Sequence, residues 1–311
     1  MSADTVYVGI DIAKATLAVR LLSKDLDFPN TPAGHTELCT ALRQLARPGQ
    51  VICEATGGYE RALVFALHAA GIALSVVNPR QVRDYARARG LLSKTDKIDA
   101  AVLTDYGERL QPAATAAPTT AQLELADLVT ARQDLIELIS AEKGRAEHLI
   151  LSLLRRQHQA RLRQLEKQRA ALDQEIARRI NADAALAAKS ARLQQVDGVG
   201  PVLAMTVLAL MPELGRLSDS QTAALAGVAP FARDSGQYKG QRHISGGRSA
   251  VRRVLYMAAL SASTNNRILA AHYRHLIVRG KLHKVALTAI MRKLIILLNR
   301  LLADPSFTLA S

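Results

Sequence analysis

The opening third of the chain is built from apolar runs too short to make helices. Val6–Ile10, Val51–Cys53 and Ala73–Val77 are each closed by polar or turn residues. Runs of this length, apolar throughout, read as buried strands. Thr16–Leu22 reads as a further strand, and its short gap from the first predicts a hairpin; a third short strand falls near Leu26–Phe28. Pro29, Pro32 and Gly34 then punctuate the chain. Helices are expected from about His35 to Ala46 and from Tyr59 to Ala70, the second entered through Gly57-Gly58. Strands alternating with helices predict an α/β sheet.

Acids mark the ends of two of these runs. Asp11 follows the first and Glu54 follows the second. A carboxylate at the end of a hydrophobic strand is costly unless a cation or partner meets it. Asp96 and Asp99, three apart in Lys94-Thr95-Asp96-Lys97-Ile98-Asp99, share one face of a helix. Any one of these acids could be a helix cap or a surface charge. Four in this order on an α/β sheet point to a Mg²⁺ site for phosphodiester chemistry. Between them lie Arg80, Arg83, Arg87 and Arg89, which read either as a phosphate track or as a solvated helix face.

Charge is unevenly spread over the 311 residues. The net charge is +14, yet residues 1–115 hold 13 Lys/Arg against 12 Asp/Glu, residues 116–193 hold 13 against 10, and residues 194–311 hold 15 against 5. The last segment is the expected polyanion-binding surface. Cys39 and Cys53 make neither a disulfide scaffold nor a zinc site, which fits a reducing cytosol. No signal peptide is read at the start. Val285–Leu302 is interrupted by Arg292, Lys293 and Arg300, so it predicts an amphipathic helix and no membrane span. No Walker loop is present to imply ATP.

From Ala121 to about Leu193, Leu128, Leu135, Leu138, Leu149, Leu162, Leu165, Leu172 and Ile176 recur at helical spacing. One or two long helices are expected, forming an antiparallel hairpin, an intermolecular coiled coil or a plain spacer. Residues 194–311 read as a separate, mostly helical domain. It opens on Gly198-Val199-Gly200-Pro201, either a helix-hairpin-helix turn that offers backbone N–H groups to a phosphate or simply a helix start. A Gly-rich stretch follows: Arg233-Asp234-Ser235-Gly236, Lys239, Arg242-His243-Ile244-Ser245 and Gly246-Gly247-Arg248, running into Arg252 and Arg253. A serine among arginines can attack a phosphodiester when cations neutralise the developing charge. Asp-Ser-Gly is also a common turn.

Together these blocks resemble the DEDD transposases of the insertion-sequence-110 family, including its 1111 subgroup, over essentially the whole chain. The carriers are Val8-Gly9-Ile10-Asp11-Ile12-Ala13-Lys14, Cys53 through Tyr59, Lys94 through Ala100, Gly198 through Pro201, and Ala229-Pro230 through Arg248. The strand order also resembles ribonuclease H. The resemblance implies a RuvC-like (ribonuclease H-like) α/β domain over 1–115, a long helical coiled-coil linker over 116–193, and a mostly α transposase domain with a helix-hairpin-helix-like element over 194–311. It implies that Asp11, Glu54, Asp96 and Asp99 hold Mg²⁺ and that Ser235 is the nucleophile, with Ser245 the weaker candidate. Arg80, Arg83, Arg87, Arg89, Gly198, Gly200, Arg233, Lys239, Arg242, Arg248, Arg252 and Arg253 are the expected nucleic-acid contacts. The implied activity is recombination of donor and target DNA, guided by a structured noncoding RNA (the bridge RNA). It proceeds through a covalent serine–DNA intermediate in a homo-oligomer of dimers assembling to a tetramer, in the bacterial cytoplasm, on the nucleoid when bound to DNA. Two other readings remain: a junction resolvase or nuclease in which water attacks, and a nucleic-acid-binding protein without catalysis.

Overall fold

The computed structural model describes residues 5–47, 49–91, 96–146, 148–231, 240 and 242–309, with the side chains of residues 96 and 97 outside the description. The chain divides into two compact units, residues 1–118 and 119–311.

The first unit carries a mixed five-stranded sheet. Its strands are β1 (Val6–Ile12), β2 (Thr16–Leu21), β3 (Lys24–Pro29), β4 (Gly49–Glu54) and β5 (Ala73–Val77), in the order β3-β2-β1-β4-β5. β1, β2 and β3 are antiparallel, whereas β4 and β5 run parallel to β1. The expected strands are all present, the third longer than the sequence suggested because Leu26 and Phe28 alternate with charged residues on a half-solvated edge. Helices α1 (Pro32–Arg43) and α2 (Arg61–Ala69) cover one sheet face, where Val8, Ile10, Val51 and Cys53 meet Leu38, Leu42, Leu63 and Leu67. Helices α3 (Pro79–Ala88) and α4 (Asp96–Leu110) cover the other, where Ile52 and Val77 meet Val82, Leu103 and Tyr106. Alternation of side chains along each strand makes this two-sided burial possible.

The second unit is helical apart from a short ribbon. α5 (Thr120–Ala146) and α6 (Ser152–Ala182) form an antiparallel hairpin. Ion pairs fix the register: Glu124 with Arg179, Arg132 with Asp173, and Lys143 with Glu166. Near the hairpin end, buried Glu142 accepts from Arg161 (2.7 Å) and Arg145 (3.1 Å) and lies 3.1 Å from His158 Nδ1. At its root, Leu125, Val129, Ile176 and Ile180 pack with Met205 and Ala209 of α8 (Pro201–Leu210). The main core gathers Leu203 and Val207 of α8, Val251, Leu255 and Ala259 of α10 (Ser249–Asn265), and Ile290, Leu294 and Leu298 of α12 (His283–Ala303). α7 (Ala184–Leu193), α9 (Asp219–Leu225) and α11 (Arg267–Val278) complete it. The amphipathic pattern over Val285–Leu302 is α12, with its apolar stripe inside and Arg292, Lys293 and Arg300 outside. Among the described residues no helix is long and apolar enough to cross a membrane.

Candidate active site

Pairing of β1 with β4 brings two of the predicted acids together. The last paired rung is Ile10 with Cys53, and Asp11 and Glu54 follow directly. Ile10 and Cys53 face α1 and α2, so the next residues turn to the opposite face, toward α4. Both acids are half-buried.

α4 lies against β1 at backbone contact. A Cβ on Gly9 would overlap the carbonyl oxygen of Ala100 and stand 2.6 Å from the Thr104 nitrogen. Gly9 N–H donates to Thr104 Oγ1 at 2.9 Å. One helical turn further on, a Cβ on Gly107 would meet Ile52 at 2.7 Å and Tyr7 at 2.8 Å. Gly107 therefore lies over Tyr7, and Ala100 over Gly9. The helix runs antiparallel to β1, and Asp96, one turn before Ala100, begins it at the end of the sheet where Asp11 lies. Asp99 is half-buried in the first turn of α4.

The loops after Asp11 and Glu54 are tied to each other by a residue that motif reading passes over. Asn30 Nδ2 donates to Ala13 O at 2.9 Å and to Tyr59 O at 3.4 Å, while its Oδ1 lies 2.7 Å from Nε2 of buried His35. Glu60 is a second such residue. Its Oε2 accepts from Thr56 N (3.1 Å), Thr56 Oγ1 (3.1 Å) and Gly58 N (2.9 Å), closing a turn in which Gly57 and Gly58 have φ of 71° and 111°. An acid two residues after a Gly-Gly pair is the sequence signal that could have found Glu60.

The carboxylate oxygens are hard donors of the kind Mg²⁺ prefers. Asp11 and Glu54 at neighbouring strand ends, with α4 seated over them, fit such an ion. Among the described residues, however, no three ligating side chains form a ready cluster. The side chain of Asp96 lies outside the description.

The arginines have more specific employment than the sequence indicated. Arg80 and Arg87 pair with Asp84 within α3, at 3.8 and 3.6 Å. Arg89 lies 3.1 Å from Asp105, which also accepts from Tyr85 Oη (2.6 Å) and Arg109 (2.8 Å). Burial pushes the Asp105 carboxyl up, but these three donors outweigh it and hold it below its ordinary range. Arg83 is exposed on the same helix.

In the second unit, β6 (Pro230–Phe231) and β7 (His243–Ile244) pair as a short antiparallel ribbon. Ser235 belongs to the segment between these strands; Ser235, Arg233 and Lys239 lie outside the described residues. The ribbon's base is well defined. Gly227 and Gly247 touch through their backbones, both with φ near +70°, so that a side chain on either would collide with the other segment. Arg252 donates to Gly246 O at 2.5 Å, and Arg248 N–H donates to Leu225 O at 2.8 Å. The Arg248 guanidinium binds Glu213 with both nitrogens at 2.7 Å, and Arg253 pairs with Glu137. Arg242 is exposed beside the ribbon, and Ser245 is exposed just after it. Gly198, with φ of 97°, abuts α10: a Cβ there would stand 2.6–2.7 Å from Ala262. Gly200 is exposed and caps α8.

Both units match transposase family models. Residues 8–155 match the DEDD insertion-sequence-110 model, described as "Transposase", and residues 190–274 match "Transposase IS116/IS110/IS902 family". The chain belongs to the insertion-sequence-110 transposase family. It is also similar to the pilin gene-inverting proteins of Moraxella lacunata and Moraxella bovis, each 27% identical over 93% of both chains. Members of this family are DNA transposases and recombinases, and that is the activity class of this enzyme.

Proposed function

We propose that this enzyme is an RNA-guided, Mg²⁺-dependent DNA recombinase that works through a covalent serine–DNA intermediate. The observation that carries the reading is the placement of Asp11 and Glu54 at adjacent ends of β1 and β4, on the face that α4 covers with Asp96 and Asp99 in its first turn. The sheet order, three antiparallel strands and then two parallel ones, supports a ribonuclease H-like (RuvC-like) first domain. The helical segment 116–193 serves as the coiled-coil linker. Residues 194–311 serve as the transposase domain, with a helix-hairpin-helix-like turn at Gly198–Pro201.

Ser235 Oγ attacks phosphorus, a serine–phosphate ester forms, and the bond to one deoxyribose oxygen breaks, the proton given up by the serine hydroxyl ending on that released oxygen. A hydroxyl of the other DNA then attacks the ester, the new phosphodiester forms, and Ser235 recovers its proton. One ester replaces another at each step, so no nucleotide hydrolysis is needed. Bound Mg²⁺ would supply charge neutralisation at the phosphate. The carboxylates would hold the ion, while Arg242 stands beside the ribbon that leads into the serine segment. Sequence choice is assigned to base pairing by a bridge RNA with donor and target DNA, which suits a basic protein with only 4% aromatic residues for base stacking. The working assembly is a homo-oligomer, dimers assembling to a tetramer.

The test is adduct trapping with RNA that co-purifies with the protein. Ser235→Ala should lose denaturation-resistant protein–DNA adducts and recombination while keeping RNA and DNA binding. Asp11→Ala should lose Mg²⁺-dependent strand cleavage. Full recombination by Ser235→Ala would refute the serine step. Cleavage without any adduct in the wild type would instead favour attack by water.

A further inference from the structure

The sequence contains no Asp or Glu between Asp234 and Asp304, so every charge contributed by α10, α11 and α12 is positive. Those cations fall into two groups. Arg248, Arg253 and Arg300 are engaged by Glu213, Glu137 and Asp219, and Arg252 is engaged by backbone carbonyls. Among the described residues no ion pair engages Arg274, Arg279, Lys281, Lys284, Arg292 or Lys293.

Most of the second group clusters along α11 and the turn after it. Arg267, Arg274, His275 and Val278 recur at helical spacing on the solvent face of α11. The turn that follows carries Arg279 and Lys281, Lys284 stands in the first turn of α12, and all three are exposed. Lys293 on α12 is close enough to His272 on α11 to disfavour its protonation, after burial, which is the larger cause. The two helices thus bring their positive charges together. Tyr273 Oη lies 2.8 Å from His283 Nδ1 and pins the start of α12 to the middle of α11, so the turn is held in shape.

These exposed cations, with no acid among them, make a strongly positive surface that favours a polyanion as its partner. The solvent face of α11 is about 17 Å long. That spans about five phosphates of one DNA strand at a rise of ~3.4 Å. Most of this surface lies beyond residue 274, where the family match ends.

We propose that the α11–α12 turn and its flanks, with Arg274, Arg279, Lys281 and Lys284, are a docking site for the phosphate backbone of duplex DNA, built from residues other than those of the Gly-rich stretch. DNA is favoured as the occupant because it is the substrate of this activity class. The proposal is independent of the serine step.

The experiment measures anisotropy of a labelled random-sequence duplex over a range of KCl with full-length protein. The triple variant Arg274→Gln/Arg279→Gln/Lys281→Gln should bind about 10–100-fold more weakly and lower the salt slope by about three, about one per phosphate contact. A charge-matched control, Arg145→Gln/Arg169→Gln/Arg178→Gln, removes paired arginines on the α5–α6 hairpin and should change affinity by less than about twofold. Should the triple variant fold poorly, as read by its helical circular dichroism, Lys281→Gln alone should lower the slope by about one. An unchanged slope, or an equal loss in the control, overturns the proposal. So does loss of binding to a structured RNA or to anionic phosphatidylserine vesicles with duplex binding intact.

Discussion

Gly9 and Ala100 meet backbone to backbone: the carbonyl oxygen of Ala100 occupies the position a side chain on Gly9 would need. This contact seats α4 on the central strand, and with it the helix turn that carries Asp96 and Asp99. Gly9→Ala should therefore push α4 off β1. The expected cost is about 1–3 kcal/mol, the usual range for overpacking a filled core, read by denaturant unfolding. Under the proposed mechanism, strand cleavage should fall more steeply than stability, because the carboxylates would separate before the fold is lost. Wild-type cleavage by Gly9→Ala would show that α4 does not set the site.

Asn30 reaches both acid-bearing loops through Ala13 O and Tyr59 O. Asn30→Ala should cost about 1–2 kcal/mol, the range for freeing part-buried carbonyls. Cleavage should drop while duplex affinity stays near the wild-type value. A thermal shift with unchanged cleavage would limit Asn30 to a structural role.

The Glu213–Arg248 pair joins the chain before α9 to the start of α10, below the ribbon that leads to Ser235. Burial pushes the Glu213 carboxyl up, but the Arg248 guanidinium outweighs it and holds it below the ordinary range. The side chains retain 40% and 34% exposure, so solvent screens the pair. Glu213→Gln should cost no more than about 1 kcal/mol. The stability carried by this depressed carboxyl is present above its unfolded value and lost as pH falls through the folded one. Unfolding curves of Glu213→Gln should accordingly show a weaker dependence on pH below about 4.5 than the wild type.

His35 makes a different window. Burial lowers its pKa from the ordinary value of 6.5, and its Nε2 faces Asn30 Oδ1, which accepts. The unfolded chain then binds the proton more readily than the folded one. Stability is full above about 6.5 and declines as pH falls from there toward the depressed value. His35→Gln, which can still donate to Asn30, should flatten that part of the pH–stability profile. An unaltered profile between pH 6.5 and 5 would remove His35 as its source.

The strands and helices of the first unit were legible because their signals are local. Val6–Ile10, Val51–Cys53 and Ala73–Val77 are apolar on both faces, and a chain can satisfy that only by burying them between layers. Asp11 and Glu54 could be recognised for the same reason: a charge ending such a run stands out. The long helices between 120 and 182 and the stripe of α12 followed from helical period. Sequence alone also supplied the charge imbalance that makes the last segment basic.

Pairings between distant residues were decided only by the folded chain. Arg253 and Glu137 are 116 positions apart, and Arg248 and Glu213 are 35. No spacing rule predicts either pair, so arginines already neutralised within the protein could not be told from the unengaged ones on α11 and α12. Gly198 read as either a phosphate-facing turn or a helix start, and its contact with Ala262 depends on where α10 runs. The close seating of α4 on β1 requires Gly9 and Gly107 to lack side chains, which gains meaning only once strand and helix touch. Period and polarity act over a few residues and write themselves into the sequence. Close approach and charge compensation act through space, between segments whose order along the chain says nothing about their distance.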